Sequence, residues 1–167
     1  NWYEASAYCR WLTRTQGGAQ WLFSLPTEAE WEKAARGPDS FDYGLGSNVS
    51  DEEVRLYNWK KNPSAEVTVI GLEETRSRFS SNRYGLYHMS GNVAEWTATL
   101  SRAFNRDAPY KDDDGRNRDD AAERRVVRGG SWYSASVAIL YLPYRETFQP
   151  EVSAPYLGFR IVAKPLP

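Results

Sequence analysis

Between Tyr84 and Trp96 the chain places glycine, aromatic, amide and carboxylate residues closer together than anywhere else, in the run YGLYHMSGNVAEW. Glycine tolerates positive φ and close backbone approach, so Gly85 and Gly91 predict a tight, irregular but ordered loop. Asn92 and Glu95 then supply side-chain oxygens which, with main-chain carbonyls, can ligate a hard cation such as calcium. The alternative is a buried structural turn in which both side chains bond only to protein, because most buried polar groups are satisfied internally. Other reactive residue types are scarce: one cysteine, Cys9, and one histidine, His88. Thiolate zinc clusters and facial iron triads need more than that. A Ser-His-Asp arrangement would have to use His88. Cys9 lies in an aromatic-rich helical stretch and reads as a small buried hydrophobe rather than a reactive thiol.

Bulk properties bound the class. A chain of 167 residues fits one domain with a sizeable core. Its 22 acidic and 21 basic residues nearly cancel, which excludes a net field recruiting nucleic acid or an anionic membrane. No apolar run reaches the ~18 residues of a membrane-spanning segment. The chain opens without an initiator Met, in mid-motif at Asn1-Trp2, so a piece of a longer protein is expected.

The elements around the loop read as scaffold. Apolar Ala5, Tyr8, Cys9 and Leu12 recur at helical steps and predict an amphipathic helix over 3–12 with Glu4 and Arg10 outside, ended by Gly17-Gly18. Thr27 as N-cap and Glu30 three residues on form a capping box for a second helix, stopped by Gly37-Pro38. Glu28, Glu30 and Glu32 on that helix are expected to be solvated. Residues 38–83 read as loop, with only Val67-Thr68-Val69-Ile70 strand-like. Residues 101–125 carry the densest charge and predict a solvated surface insertion. An EF-hand alignment there fails, because Gly115 as the invariant glycine puts Tyr110 and Ala121 where carboxylates are needed. Val126-Val127-Arg128 and Ile161-Val162-Ala163 read as strands. Between them, from Tyr133 to Tyr156, Tyr, Ser, Val, Ile, Leu, Pro, Thr and Phe follow no helical or strand period; if exposed, such a stretch resembles a paratope.

Several motifs together resemble the formylglycine-generating enzyme, or sulfatase-modifying-factor, family: Trp2-Tyr3-Glu4-Ala5 with Tyr8-Cys9 and Trp11, Leu25-Pro26-Thr27-Glu28-Ala29-Glu30-Trp31-Glu32, Gly85-Leu86-Tyr87, Gly91-Asn92-Val93 with Glu95-Trp96, and Arg128-Gly129-Gly130-Ser131-Trp132 with Gly158-Phe159-Arg160. The resemblance covers nearly all of residues 1–167. It implies an α+β, C-type-lectin-like fold with two helices, a small twisted antiparallel sheet and much irregular loop. It also implies a structural calcium on the main-chain oxygens of Gly91 and Val93 and the carboxylate of Glu95, although His88 stands where the family supplies a side-chain oxygen. Asn58 resembles a further calcium ligand or a turn brace.

The family's enzymes bind copper through a cysteine pair downstream of the GGS motif, and this chain has no cysteine there. Soft thiolates cannot be replaced for copper(I) by Tyr141 or Tyr144. A second pattern fits: RGGSW, twelve positions to Arg145, four to Pro150 and seven to Gly158-Phe159-Arg160. This spacing is similar to the variable proteins of diversity-generating retroelements, in which a lectin-like fold displays a mutable face. That resemblance implies a non-catalytic binder displayed on a phage or cell surface, with no cofactor and a protein ligand. Its expected contact residues are Tyr133, Ser134, Ser136, Ile139, Tyr141, Tyr144, Glu146, Thr147, Phe148, Val152, Ala154, Pro155 and Tyr156. The rival readings are an oxidase or other metal-dependent member of the enzyme family with ligands on absent sequence, and an accessory regulatory domain of a larger protein.

Overall fold

The computed structural model describes residues 1–44, 81–102, 114–119 and 122–166. Asn58 and the expected strand at residues 67–70 lie outside the described residues.

Helix α1 (Trp2–Gln16) begins at Asn1, whose side chain accepts from the Glu4 N–H while Glu4 reaches back to the cap. Trp2, Ala5, Cys9 and Leu12 form its buried stripe. Tyr8, expected on that stripe, is 46% exposed. The 3.6-residue period carries it to the edge of the face, where the phenol can stay wet. Helix α2 (Glu28–Arg36) has the anticipated Thr27–Glu30 capping box and ends at Gly37, whose φ of 66° favours glycine.

The strands are β1 (Trp21–Ser24), β2 (Ala94–Leu100), β3 (Arg125–Arg128), β4 (Glu146–Phe148), β5 (Leu157–Phe159) and β6 (Val162–Pro165). They form a two-stranded sheet, β1-β6, and a four-stranded sheet in the order β4-β3-β2-β5. The fold is α+β and C-type-lectin-like, as expected, but the larger sheet is mixed rather than antiparallel: β2 pairs β5 in parallel, with Glu95 opposite Gly158. The reason lies in the connection after β4, which leaves one edge of the sheet and returns along the other. On the way the Pro150 carbonyl accepts from Trp2 N–H and the Tyr156 carbonyl from Ala94 N–H.

One apolar cluster joins α1 to the larger sheet through Trp2, Ala5, Cys9, Leu25, Ala94, Trp96 and Val127. A second joins Trp31 and Ala35 of α2 to Met89 and Leu142. The charged stretch is partly solvated, with Arg102 bonded to Glu123 at the surface. Arg125 departs from that expectation: it belongs to β3, is fully buried, and lies 3.8 Å from the centroid of the Trp2 ring.

Candidate ligand-binding site

The central loop is ordered and irregular, with left-handed φ at Gly85, His88, Gly91 and Asn92. Its hydrogen bonds tie it to the Gly129–Trp132 turn that leads into the 133–156 segment: Gly91 N–H donates to the Gly129 carbonyl and Trp132 N–H to the Asn92 carbonyl, both at 2.8 Å. Gly130 at φ 62° has no room for a side chain, since a Cβ there would lie 2.7 Å from Leu140. Asn92 itself is exposed, whereas Glu95 is buried.

Both oxygens of Glu95 are engaged by protein. Trp31 Nε1 donates to Oε2 at 2.6 Å, Arg160 Nη2 donates to Oε1 at 2.6 Å, and Arg160 Nε also meets Oε2. Arg160 continues to the Tyr87 carbonyl. A guanidinium therefore stands against the carboxylate that a calcium ion would need, and the residues present do not fit that ion. His88 is half-buried and its pKa is lowered, first by burial and then by the positive charge of Arg160, with Glu95 partly opposing. Among the described residues, no three His, Cys, Asp or Glu side chains converge as metal ligands.

The donor set does not fit copper either. Cys9, the chain's one thiol, is 2% exposed inside α1, and burial chiefly raises its pKa, which keeps it from the thiolate form.

The acidic face of α2 is solvated only in part: the Glu30 and Glu32 side chains stay 39% and 34% exposed, whereas Glu28 is buried. Glu28, at the helix start, is 5% exposed and accepts from Arg128 Nη1 at 2.9 Å and from Arg145 Nε. Arg128, 1% exposed, also pairs with Glu32. Glu30 pairs with Lys164 at 2.6 Å. Burial favours the protonated form of Glu30, but the bonds from Lys164 and from the Thr27 backbone outweigh it and hold its pKa low. Desolvation explains the reversal: an arginine brought to the interior by the sheet requires a carboxylate beside it. Two signals pointed that way, Arg128 in an apolar strand and Glu28 one residue after an N-cap.

The 133–156 segment is held at intervals and exposed between them. Arg145 is fixed by Glu28, Pro150 is buried, and Arg160 is fixed by Glu95. Gly158 fits closely against β2's approach, since a Cβ added to it would lie 3.0 Å from the Val93 side chain. Ahead of Arg145, Tyr133, Tyr141 and Tyr144 are 46%, 39% and 41% exposed and Ser136 is also exposed, as is Pro155 between Pro150 and Gly158. Tyr133 stacks on Tyr156 with centroids 5.0 Å apart. Ile139, Thr147 and Ala154 are half-buried.

The structure places other expected contact residues differently. Ser134 is buried, its hydroxyl accepting from Ser131 N–H. Phe148 and Val152 pack on the core, Phe148 edge-on to Trp96. Glu146, Thr147 and Phe148 are not irregular but form β4, and Val137–Leu140 make a 3-10 turn capped by Ser136. Glu146 is half-buried, and burial raises its pKa. The sequence could not separate these from the exposed positions, because side-chain direction on irregular backbone has no period to read.

Two helices, small sheets and ordered loops define a C-type-lectin-like domain. The family model described as the sulfatase-modifying factor enzyme 1-like domain matches residues 1–165, and the chain belongs to that family. It is 32% identical to the inactive C-alpha-formylglycine-generating enzyme 2 of Mus musculus, over 96% of this chain and 46% of that protein. It is also 32% identical to the formylglycine-generating enzyme of Thermomonospora curvata, over 99% of this chain and 54% of that protein. Among solved structures, Treponema denticola variable protein 1 superposes with a TM-score of 0.64 and 31% identity, over 83% of this chain and 46% of that one. The chain thus spans about half the length of the curated relatives it matches. Relatives named as enzymes and relatives named inactive both match, so membership alone does not decide catalysis. No described helix is long and apolar enough to cross a membrane.

Proposed function

We propose that this chain is a non-catalytic binding domain, a variable protein of a diversity-generating retroelement, which engages a protein ligand through residues 133–156. The observation that carries the reading is the division of labour along that segment. Trp132, Arg145, Pro150, Gly158 and Arg160, fixed points of the spacing pattern, are tied into the frame, while Tyr133, Ser136, Tyr141 and Tyr144 between Trp132 and Arg145, and Pro155 between Pro150 and Gly158, face outward. Substitutions at the outward positions leave the anchors untouched. Exposed tyrosines on a pre-ordered backbone offer contact area with little entropy to lose on binding. The likeness to Treponema denticola variable protein 1 supports this reading, as does the want of a second thiol for copper.

The test is genetic and biochemical. Sequencing the native locus is expected to find a reverse transcriptase beside a near-copy of the segment encoding 133–156, differing from it at codons for the outward positions. Oxidation of a cysteine-containing peptide by the purified full-length protein, with stoichiometric copper or iron bound, would overturn the reading in favour of an enzyme.

A further inference from the structure

A cleft of about 420 Å³ lies between α2 and residues 143–145. Glu32, Lys33 and Arg36 line it from one face of the helix, where side chains three and four apart are neighbours. Arg145 lines it from the other side, and the buried Glu28 and Arg128 complete the charged lining. Four of these six charged residues are cationic, so the lining carries two positive charges in excess. The excess falls on the accessible groups, because Glu28 and Arg128 are buried and bonded to each other at 2.9 Å. That leaves Lys33, Arg36 and Arg145 against Glu32 alone. Asp42, outside the lining, stands 3.8 Å from Arg36, too far for a hydrogen bond, and tempers the excess without removing it.

The two accessible guanidinium groups are fixed in place yet open to solvent. Arg145 donates from Nε to Glu28, and its side chain is 29% exposed. Arg36 donates from Nη1 to the Phe41 carbonyl at 3.3 Å, and its side chain is 27% exposed. Lys33 is exposed and makes no ion pair with the described residues.

We propose that this cleft binds a small organic phosphate monoester, with its phosphoryl group among Lys33, Arg36 and Arg145. A monoester carries nearly two negative charges at neutral pH, which matches the excess, whereas a monocarboxylate carries one. Guanidinium forks hold phosphate oxygens by paired N–H bonds, and an ammonium adds a point charge. Because Glu28 and Phe41 already hold the two arginines, little side-chain entropy is lost when the ligand arrives. The volume leaves room beyond the phosphoryl group for the organic part. The site rests on α2 and an anchor residue, not on the outward tyrosines, so it and the contact-face reading can fail separately.

Calorimetric titration of the purified full-length protein with phenyl phosphate tests this. Saturable binding is expected, with phenylacetate and inorganic phosphate each at least about tenfold weaker, and weaker binding in high salt. Lys33→Glu reverses an exposed charge on the cleft wall. It is expected to weaken phenyl phosphate at least about tenfold while thermal melting stays within about 2 °C, and Lys33→Arg is expected to retain binding. Absence of saturable binding would overturn the proposal, and so would binding that survives Lys33→Glu, which would place the ligand elsewhere. Phenylacetate binding as tightly as phenyl phosphate would overturn the assignment to a phosphate in favour of a carboxylate site. Inorganic phosphate binding as tightly would overturn the assignment to an organic ester.

Discussion

Glu95 and His88 show how single residues in this family can be put to structural use. With Trp31 and Arg160 on its carboxylate, Glu95 joins α2, β2 and the chain after β5. Glu95→Ala would leave Arg160, whose side chain is 24% exposed, facing an apolar interior. A loss of about 3 kcal/mol in urea unfolding is expected, with Glu95→Gln less severe because it keeps an acceptor for one donor. His88 binds its proton less tightly folded than unfolded, so folding favours the neutral ring. Its contribution is full above the ordinary histidine value of about 6.5 and declines as pH falls from there through the lower folded value. His88→Asn keeps a residue that tolerates the left-handed φ of 57° and removes the titration. Between pH 7.5 and 5.5 the urea midpoint of the parent protein should fall more than that of the variant.

At the scale of elements, the 133–156 segment is a series of short exposed spans pinned at both ends, and its residues divide by what lies beneath them. Phe148 in β4 packs against Trp96, so Phe148→Ala should cost about 3 kcal/mol. Tyr144 is 41% exposed, and Tyr144→Ala should change stability by under about 1 kcal/mol. Chemical unfolding of the two variants checks both. Equal losses would mean the segment is core throughout and would remove the basis for a contact face. The helices were legible because their signals are local: Thr27 and Glu30 are three residues apart and bond each other. The parallel β2-β5 ladder was not, since nothing in Leu157-Gly158-Phe159 specifies the direction of the strand it meets.

For the molecule as a whole, the frame is held by charged pairs where the family pattern suggested a cation. Because Arg160 already neutralises Glu95, calcium should add no stability through the Gly91–Glu95 loop. Thermal melting with millimolar calcium and with a chelator should agree within about 1 °C, whereas site binding at saturating calcium would raise the melting temperature by several degrees. The helix caps were legible because Thr27 and Glu30 act within three positions of one another, whereas the family and the lectin-like fold came from the resemblance of several motifs to a known family. Tertiary structure alone decided that Glu28 is a buried hub, that Arg125 is core and that Ser134, Phe148 and Val152 turn inward. Glu28 and Arg128 are separated by 100 residues. Hydrophobic period and capping chemistry carry no information over that distance; it arises only when the sheet brings an arginine to a helix start and burial makes an unpaired charge too costly to keep.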